Sequence, residues 1–450
     1  MSKRFRPWNP HQSFLFPVSP RDWLPENHLV YFLLDVVPQM NLQPILQPYQ
    51  AEERGQPPYH PTMLVTLLLY GYATGTFSSR RLMARCQTDV AFRVIVGEDI
   101  PDFRTISDFR KRHLTALEGL FVDVLKLCAK AGLVKVGRIA LDGSKVKANA
   151  SRHKAMSYDY MLREERRLKE EVQALLAQAE EADQAEEKTY GRDRRGEELP
   201  EELARRQSRL KRIREAKAAL EAEAREQARA AEAARQQEGK PPSGTDPERA
   251  KPEPKAQHNF TDPESQIMKV SNKGWDQCIN TQVAVNEHQI IVAADVTDEA
   301  NDKRQVQPMV EQMKQNLAAV GVSEKVREMV ADSGFYSEAN VTYLEGEGID
   351  PYIATERLKH HEQIEAPRGR RPHGMTAKQR MARKLRTKRG RERYARRKAM
   401  VEPVFGQIKH GRGFRQHLLR GRKKMRAEWR LVSLTHNLLK LWRYEQGQEK

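Results

Sequence analysis

The 450-residue chain has only three cysteines, Cys86, Cys128 and Cys278, and they stand far apart. An odd, scattered trio fits neither a disulfide framework nor a thiolate zinc site. Free buried thiols in a reducing compartment are the expectation, so the chain is read as cytoplasmic. No run of about 18 apolar residues occurs, which excludes a helical membrane span. The best contender, Met63 to Phe77, is too short and carries three Thr and two Gly. The basic start, Met1 to Arg6, has no apolar stretch behind it, so no signal peptide is expected.

Positive charge is what the chain has in excess. Lys and Arg number 79 against 61 acids, a formal balance of +18. Between Arg368 and Lys398, 15 of 31 residues are Lys or Arg and one, Glu392, is acidic. Charge concentrated in this way reads as a polyanion-binding surface, with DNA or RNA as the leading partner. A solvated basic linker is the other reading.

Texture divides the chain into four stretches. Residues 1–130 read as helical, with Leu64, Leu67 and Leu68 at helical spacing behind Pro61 and an N-cap expected at Asp102 or Thr105. The arginines around Gly97 and Pro101 suit a helical DNA-binding domain, although a plain bundle has the same pattern. Residues 131–157 hold an apolar strand ending at Asp142. Residues 158–257 carry two narrow apolar stripes, Leu168, Val172, Leu175 and Ala179, then Leu203, Leu210, Ile213, Leu220 and Ala224. These predict an inserted helical hairpin joined through Gly191, Gly196 and Pro200, with Lys217 intruding where a core residue is due. Residues 258–450 return to strands, including one ending at Asp332, and finish in the basic segment and terminal helices.

Acids at the carboxyl ends of two strands gather where connecting loops leave a crevice in α/β sheets. Asp142 and Asp332 are therefore expected to be neighbours, and Glu402 is a third acid 70 residues further on. Three carboxylates suit Mg²⁺ or Mn²⁺, two ions being expected, because hard cations take oxygen ligands. Asp295 also ends a strand but reads as a turn acid. His153, His258 and His288 lack metal-ligand spacing. Trp275 suits either base stacking or a strand edge.

The blocks Leu141 to Ser151, Asp262 to Lys269, Ala331 to Ser337 and Val401 to Lys409 resemble those of bacterial insertion-sequence transposases of the DDE class. Tyr59 to Arg110 resembles their helical N-terminal domain. The resemblance implies an α/β, RNase-H-like mixed-sheet core, with Asp142, Asp332 and Glu402 as catalytic and metal-binding residues. It implies cutting at terminal inverted repeats and joining of 3′-OH ends to target DNA, without a covalent protein–DNA bond. Double-stranded DNA, both transposon ends and target, and a homo-oligomeric synaptic complex are the implied partners.

Related transposases place a Tyr, an Arg and a Lys at offsets −7, −4 and +7 from the Glu. Lys409 fits, whereas Lys398 stands at −4, and Tyr394 and Arg397 each lie one residue early. Pro403 favours Glu402 as an N-cap with Pro403 as the first helical residue. DNA contacts are expected at Lys145, Lys147, Tyr394, Arg397, Lys398, Lys409, Arg412 and Arg415; Lys145 and Lys147 read equally as a solvated strand end. A metal-dependent nuclease of the same fold and a non-catalytic DNA-binding protein are the rival functions.

Overall fold

The computed structural model describes residues 19–50, 57–190, 201–237, 241, 246–270, 274–356, 367, 369 and 372–447. The 191–200 connection of the hairpin, Arg368 and parts of the 236–257 linker lie outside the described residues. The chain opens with α1 (Leu29–Val36), α2 (Gln43–Gln50), α3 (Pro61–Ala73), α4 (Ser79–Thr88), α5 (Val90–Val96), α6 (Phe103–Arg112) and α7 (Leu114–Lys130). There follow β1 (Arg138–Lys147), β2 (Ala155–Ser157), α8 (Tyr158–Tyr190), α9 (Glu201–Gln237), β3 (Gln257–Asn259), β4 (Gln266–Lys269), β5 (Trp275–Asn286) and β6 (Ile291–Thr297). The remainder is α10 (Val306–Ala319), β7 (Glu328–Ala331), α11 (Glu338–Gly346), β8 (Asp350–Ile353), α12 (Ala377–Arg386), α13 (Lys388–Gly406) and α14 (Arg422–Glu445). Two compact units result, residues 1–146 with 280–450, and residues 147–279.

In the first unit the strand order is β6–β5–β1–β7–β8. β5 and β6 form an antiparallel hairpin, whereas β1, β7 and β8 run parallel. Parallel strands are covered on both faces and need continuous apolar sequence. Ile139, Ala140 and Leu141 on β1 and Met329, Val330 and Ala331 on β7 supply it, all fully buried. This mixed sheet with flanking helices is RNase-H-like.

The helix α14 ties the opening helices to that sheet, packing against α3, α7 and β6. It is buried nearly all round, so its polar side chains need partners. Asn437 supplies two at once, accepting from the Ile291 N–H at 2.9 Å and donating to the Ile291 carbonyl at 2.8 Å. Trp429 Nε1 donates to the Gln282 carbonyl at 3.0 Å. Pro61 is the first residue of α3, where its missing N–H leaves no bond unmade. Asp102 does cap a helix, accepting from the Arg104 N–H at 2.8 Å, and α6 ends with His113 as its C-cap. All three cysteines are free and buried.

In the second unit α8 and α9 pack as a hairpin around Met161, Leu168, Leu210, Ile213, Ala216 and Leu220. Lys217 is not a flaw in that stripe: its Nζ lies 2.6 Å from Glu165 Oε2 on the facing helix. Arg214 and Lys169 also reach Glu165, and these cations hold its carboxyl down at about 2, below the ordinary carboxylate range. β2 pairs antiparallel with β3, and β4 with the first residues of β5.

Candidate active site

The parallel register of β1 and β7 brings two of the expected acids together. Leu141 pairs with Ala331, the last match, so Asp142 and Asp332 follow side by side where β7 ends. β1 does not end at Asp142 as expected but runs on to Lys147, so that acid stands within the strand. Each carboxylate accepts from a backbone N–H just beyond it. Asp142 Oδ1 accepts from the Gly143 N–H at 2.9 Å, and Asp332 Oδ1 from the Gly334 N–H at 2.8 Å.

Those two glycines make room for a third acid, Asp302, which the sequence did not single out. A Cβ at Gly143 would lie 2.5 Å from Gln282 Nε2 and 2.8 Å from Asp302 Oδ1. At Gly334 it would lie 3.0 Å from Asp332 Oδ1 and 3.1 Å from Asp302 Oδ2. Asp302 Oδ1 accepts from Asn280 Nδ2 and from Gln282 Nε2, both at 2.7 Å. Its Oδ2 faces Lys145 Nζ at 3.6 Å. A glycine one residue after Asp142 and two after Asp332 was the signal that another group crowds there.

Burial pushes the Asp142 carboxyl up to about 6, with Asp332 and Asp302 adding to the rise and Arg397 opposing it. The charged form of a desolvated acid among other acids is costly unless a cation joins it. In this structure Arg397 does so, its Nη1 3.0 Å from Asp142 Oδ2. Burial also raises the phenol of Tyr394, against the pull of Arg397. A donor set of carboxylate oxygens at one sheet edge fits a hard divalent cation. Among the described residues, however, no group of three or more His, Cys, Asp or Glu side chains is disposed to hold a metal ion.

Glu402 differs from expectation. It lies inside α13, not at an N-cap, and is exposed. Pro403 removes the N–H that would bond the carbonyl four residues back, at Ala399. Gln289 Nε2 donates to that carbonyl instead, at 2.9 Å, and so the helix continues through the proline. A π turn, Gln407–Gly411, then follows α13 directly. The N-terminal half of α13 is held on the sheet by Arg393, whose Nη1 lies 2.8 Å from Glu328 Oε2, and Arg138 binds the same carboxylate.

The expected DNA contacts are placed unevenly. Lys398 and Arg415 are exposed, Arg415 donating to the Lys409 carbonyl at 3.2 Å. Lys409 Nζ donates to the Ser144 hydroxyl and to the Lys145 carbonyl, the latter at 2.9 Å, beside the end of β1. Lys147, in the second unit, pairs with Asp276 at 2.5 Å. Arg412 is a correction. It is buried, donating to the Thr435 hydroxyl at 2.7 Å and the Val432 carbonyl at 3.1 Å, and burial lowers it to about 9. A guanidinium aimed inward in this way anchors α14 and does not face a phosphate. Asp295 pairs with Arg426 at 2.6 Å, a structural role.

Two family models match the chain. A model described as "Transposase domain (DUF772)" matches residues 18–112, and one described as "Transposase DDE domain" matches residues 245–438. No curated protein and no solved structure matches the chain. By these two matches the chain belongs to the insertion-sequence transposases of the DDE class, enzymes that cleave DNA and transfer its strands.

Proposed function

We propose that the chain cuts at the terminal inverted repeats of its own insertion sequence and joins the freed 3′-OH ends to target DNA. In this reading Asp142, Asp332 and Glu402 hold two Mg²⁺ or Mn²⁺ ions. The observation that carries the proposal is the register of β1 and β7, which supports Asp142 and Asp332 as one carboxylate pair. When bound, two such ions activate the attacking oxygen and stabilise the leaving one in an in-line displacement. Asp142 and Asp332 project from neighbouring sheet strands, so their carboxylates would need little reorganisation. Arg397 neutralises Asp142 in this structure and would be released for the scissile strand if a cation took over that carboxylate. Lys409 fixes the end of β1 through Ser144 and the Lys145 carbonyl. Water is the nucleophile in cutting and the 3′-OH in joining, which leaves no covalent role to a side chain.

Lys398 and Arg415 contact the DNA backbone from exposed positions, with Tyr394 and Lys145 nearer the paired carboxylates; Lys147, in the second unit, is a further backbone contact in this reading. Residues 1–130 act as the domain that recognises transposon ends. The working complex is a homo-oligomer, for which the α8–α9 hairpin is the proposed interface.

The test is strand cleavage on a plasmid carrying the gene's flanking repeats, with Mg²⁺ or Mn²⁺, comparing wild type with Asp142→Asn, Asp332→Asn and Glu402→Gln. Breaks at the repeat boundaries, lost in all three variants, support the proposal. Scattered breaks lost in the variants would make the chain a nuclease. Intact DNA binding without any metal-dependent cutting would leave a binding protein only.

A further inference from the structure

We infer that Gln289, at the tip of the β5–β6 hairpin, is a positioning residue for Glu402. It holds the two irregular turns between which that carboxylate sits. The inference rests on the assignment of Glu402 to the active site.

Before Glu402 in space lies the gap made by Pro403, where the Ala399 carbonyl has no helical donor. Gln289 Nε2 fills it at 2.9 Å. After Glu402 lies the π turn opened by Gln407. The Gln407 side-chain amide meets His436 Nδ1 at 2.9 Å, and His436 Nε2 meets the Gln289 carbonyl, also at 2.9 Å. One residue thus binds both irregularities, by its side chain on one flank and its backbone on the other.

The donor is itself held in place. Lys440 Nζ donates to Gln289 Oε1 at 3.2 Å, which directs the NH₂ toward Ala399. Asn286 Oδ1 accepts from the N–H groups of His288 and Ile290 at 3.0 and 2.9 Å, bracing the hairpin tip. Gln289 has φ 63°, the left-handed region, and among the described residues is alone in this apart from glycines. Glycine would adopt that backbone with less strain. A glutamine there therefore serves something other than the turn, and the Ala399 carbonyl is what it reaches.

Restoring an N–H at position 403 tests the inference, because Pro403→Ala lets the helix satisfy Ala399 unaided. The full chain is compared as wild type, Gln289→Ala, Pro403→Ala and the double variant, with Gln289→Gly as a second side-chain deletion that relieves the backbone. Gln289→Ala and Gln289→Gly are each expected to slow single-turnover end cleavage by about ten-fold, the scale of one net hydrogen bond. DNA affinity should stay within about two-fold, since no phosphate contact is touched. Amide exchange across residues 400–406 should quicken by a similar factor of about ten. In the double variant both rate and exchange should return to those of Pro403→Ala.

A double variant as slow and as exchange-labile as Gln289→Ala would overturn the inference, as would a Gln289→Ala protein that cuts at the wild-type rate. If wild type cuts no DNA, or if Glu402→Gln cuts normally, the active-site assignment fails. The amide exchange then still decides whether Gln289 braces α13, since equal exchange in all variants would refute the brace.

Discussion

Arg397 reaches from α13 to Asp142, Nη1 to Oδ2 at 3.0 Å, across 255 positions of sequence. Both side chains are mostly buried. Breaking such a pair by removing one partner leaves an uncompensated charge, which typically costs several kcal/mol. In metal-free buffer Arg397→Ala is expected to lose about 2–3 kcal/mol of unfolding free energy. Mg²⁺ should restore more stability to the variant than it adds to wild type, because the ion takes over the vacated role. Urea unfolding with EDTA and with Mg²⁺ checks this, and equal Mg²⁺ increments in the two proteins would count against it.

Arg412 and Arg415 separate inward from outward positive charge. Arg412→Ala deletes a buried side chain bonded to Thr435 and Val432, and about 3 kcal/mol of stability should go with it. The salt dependence of DNA binding should be unchanged. Arg415→Ala and Lys398→Ala should each leave stability within about 0.5 kcal/mol and reduce the salt slope by about one. A reduced slope for Arg412→Ala, with the fold intact, would return that residue to the DNA surface.

These contrasts mark where sequence was and was not enough. The adjacency of Asp142 and Asp332 was legible because an apolar run followed by an acid is a local pattern, whereas the continuation of β1 to Lys147 was not. Legible too was the α8–α9 hairpin, whose Leu168, Leu210, Ile213 and Leu220 are buried at their heptad steps. Glu402 inside a helix was not legible, since the group that tolerates Pro403 is Gln289, 110 residues away. The inward turn of Arg412 and the pairing of Lys217 with Glu165 were hidden for a related reason. A charged letter in a sequence does not say which way its side chain points.

Asp302 carries the next prediction, for its carboxylate is the acceptor of two buried amides, Asn280 and Gln282. Asp302→Ala takes the acceptor from Gln282 Nε2 and leaves Asn280 Nδ2 only the Glu299 carbonyl, and an unsatisfied buried group costs about 1–3 kcal/mol. Asp302→Asn keeps an oxygen for them while removing the charge. It should be the more stable of the two by at least about 1 kcal/mol, with slower strand cleavage in both. Indistinguishable melting of the two variants would mean that the amides find other partners once Asp302 is gone.

His436 sets a pH dependence that can be worked out in sign. Burial first, then the nearby cation Arg412, lowers its pKa to about 3, although its bond to the Gln289 carbonyl opposes this. The ring is thus neutral in the folded chain, whereas in the unfolded chain it titrates at the ordinary 6.5. Stability from this group is complete above that unfolded value. It is lost as pH falls below it, because only the unfolded state takes up the proton. Between pH 7.5 and 5.5 the loss should be on the order of 1 kcal/mol. His436→Gln keeps a donor for the Gln289 carbonyl but cannot titrate, so its stability should fall by that much less over the same interval. Urea unfolding of both proteins at the two pH values measures the difference, and parallel losses would show that the folded chain takes up the proton as readily as the unfolded one.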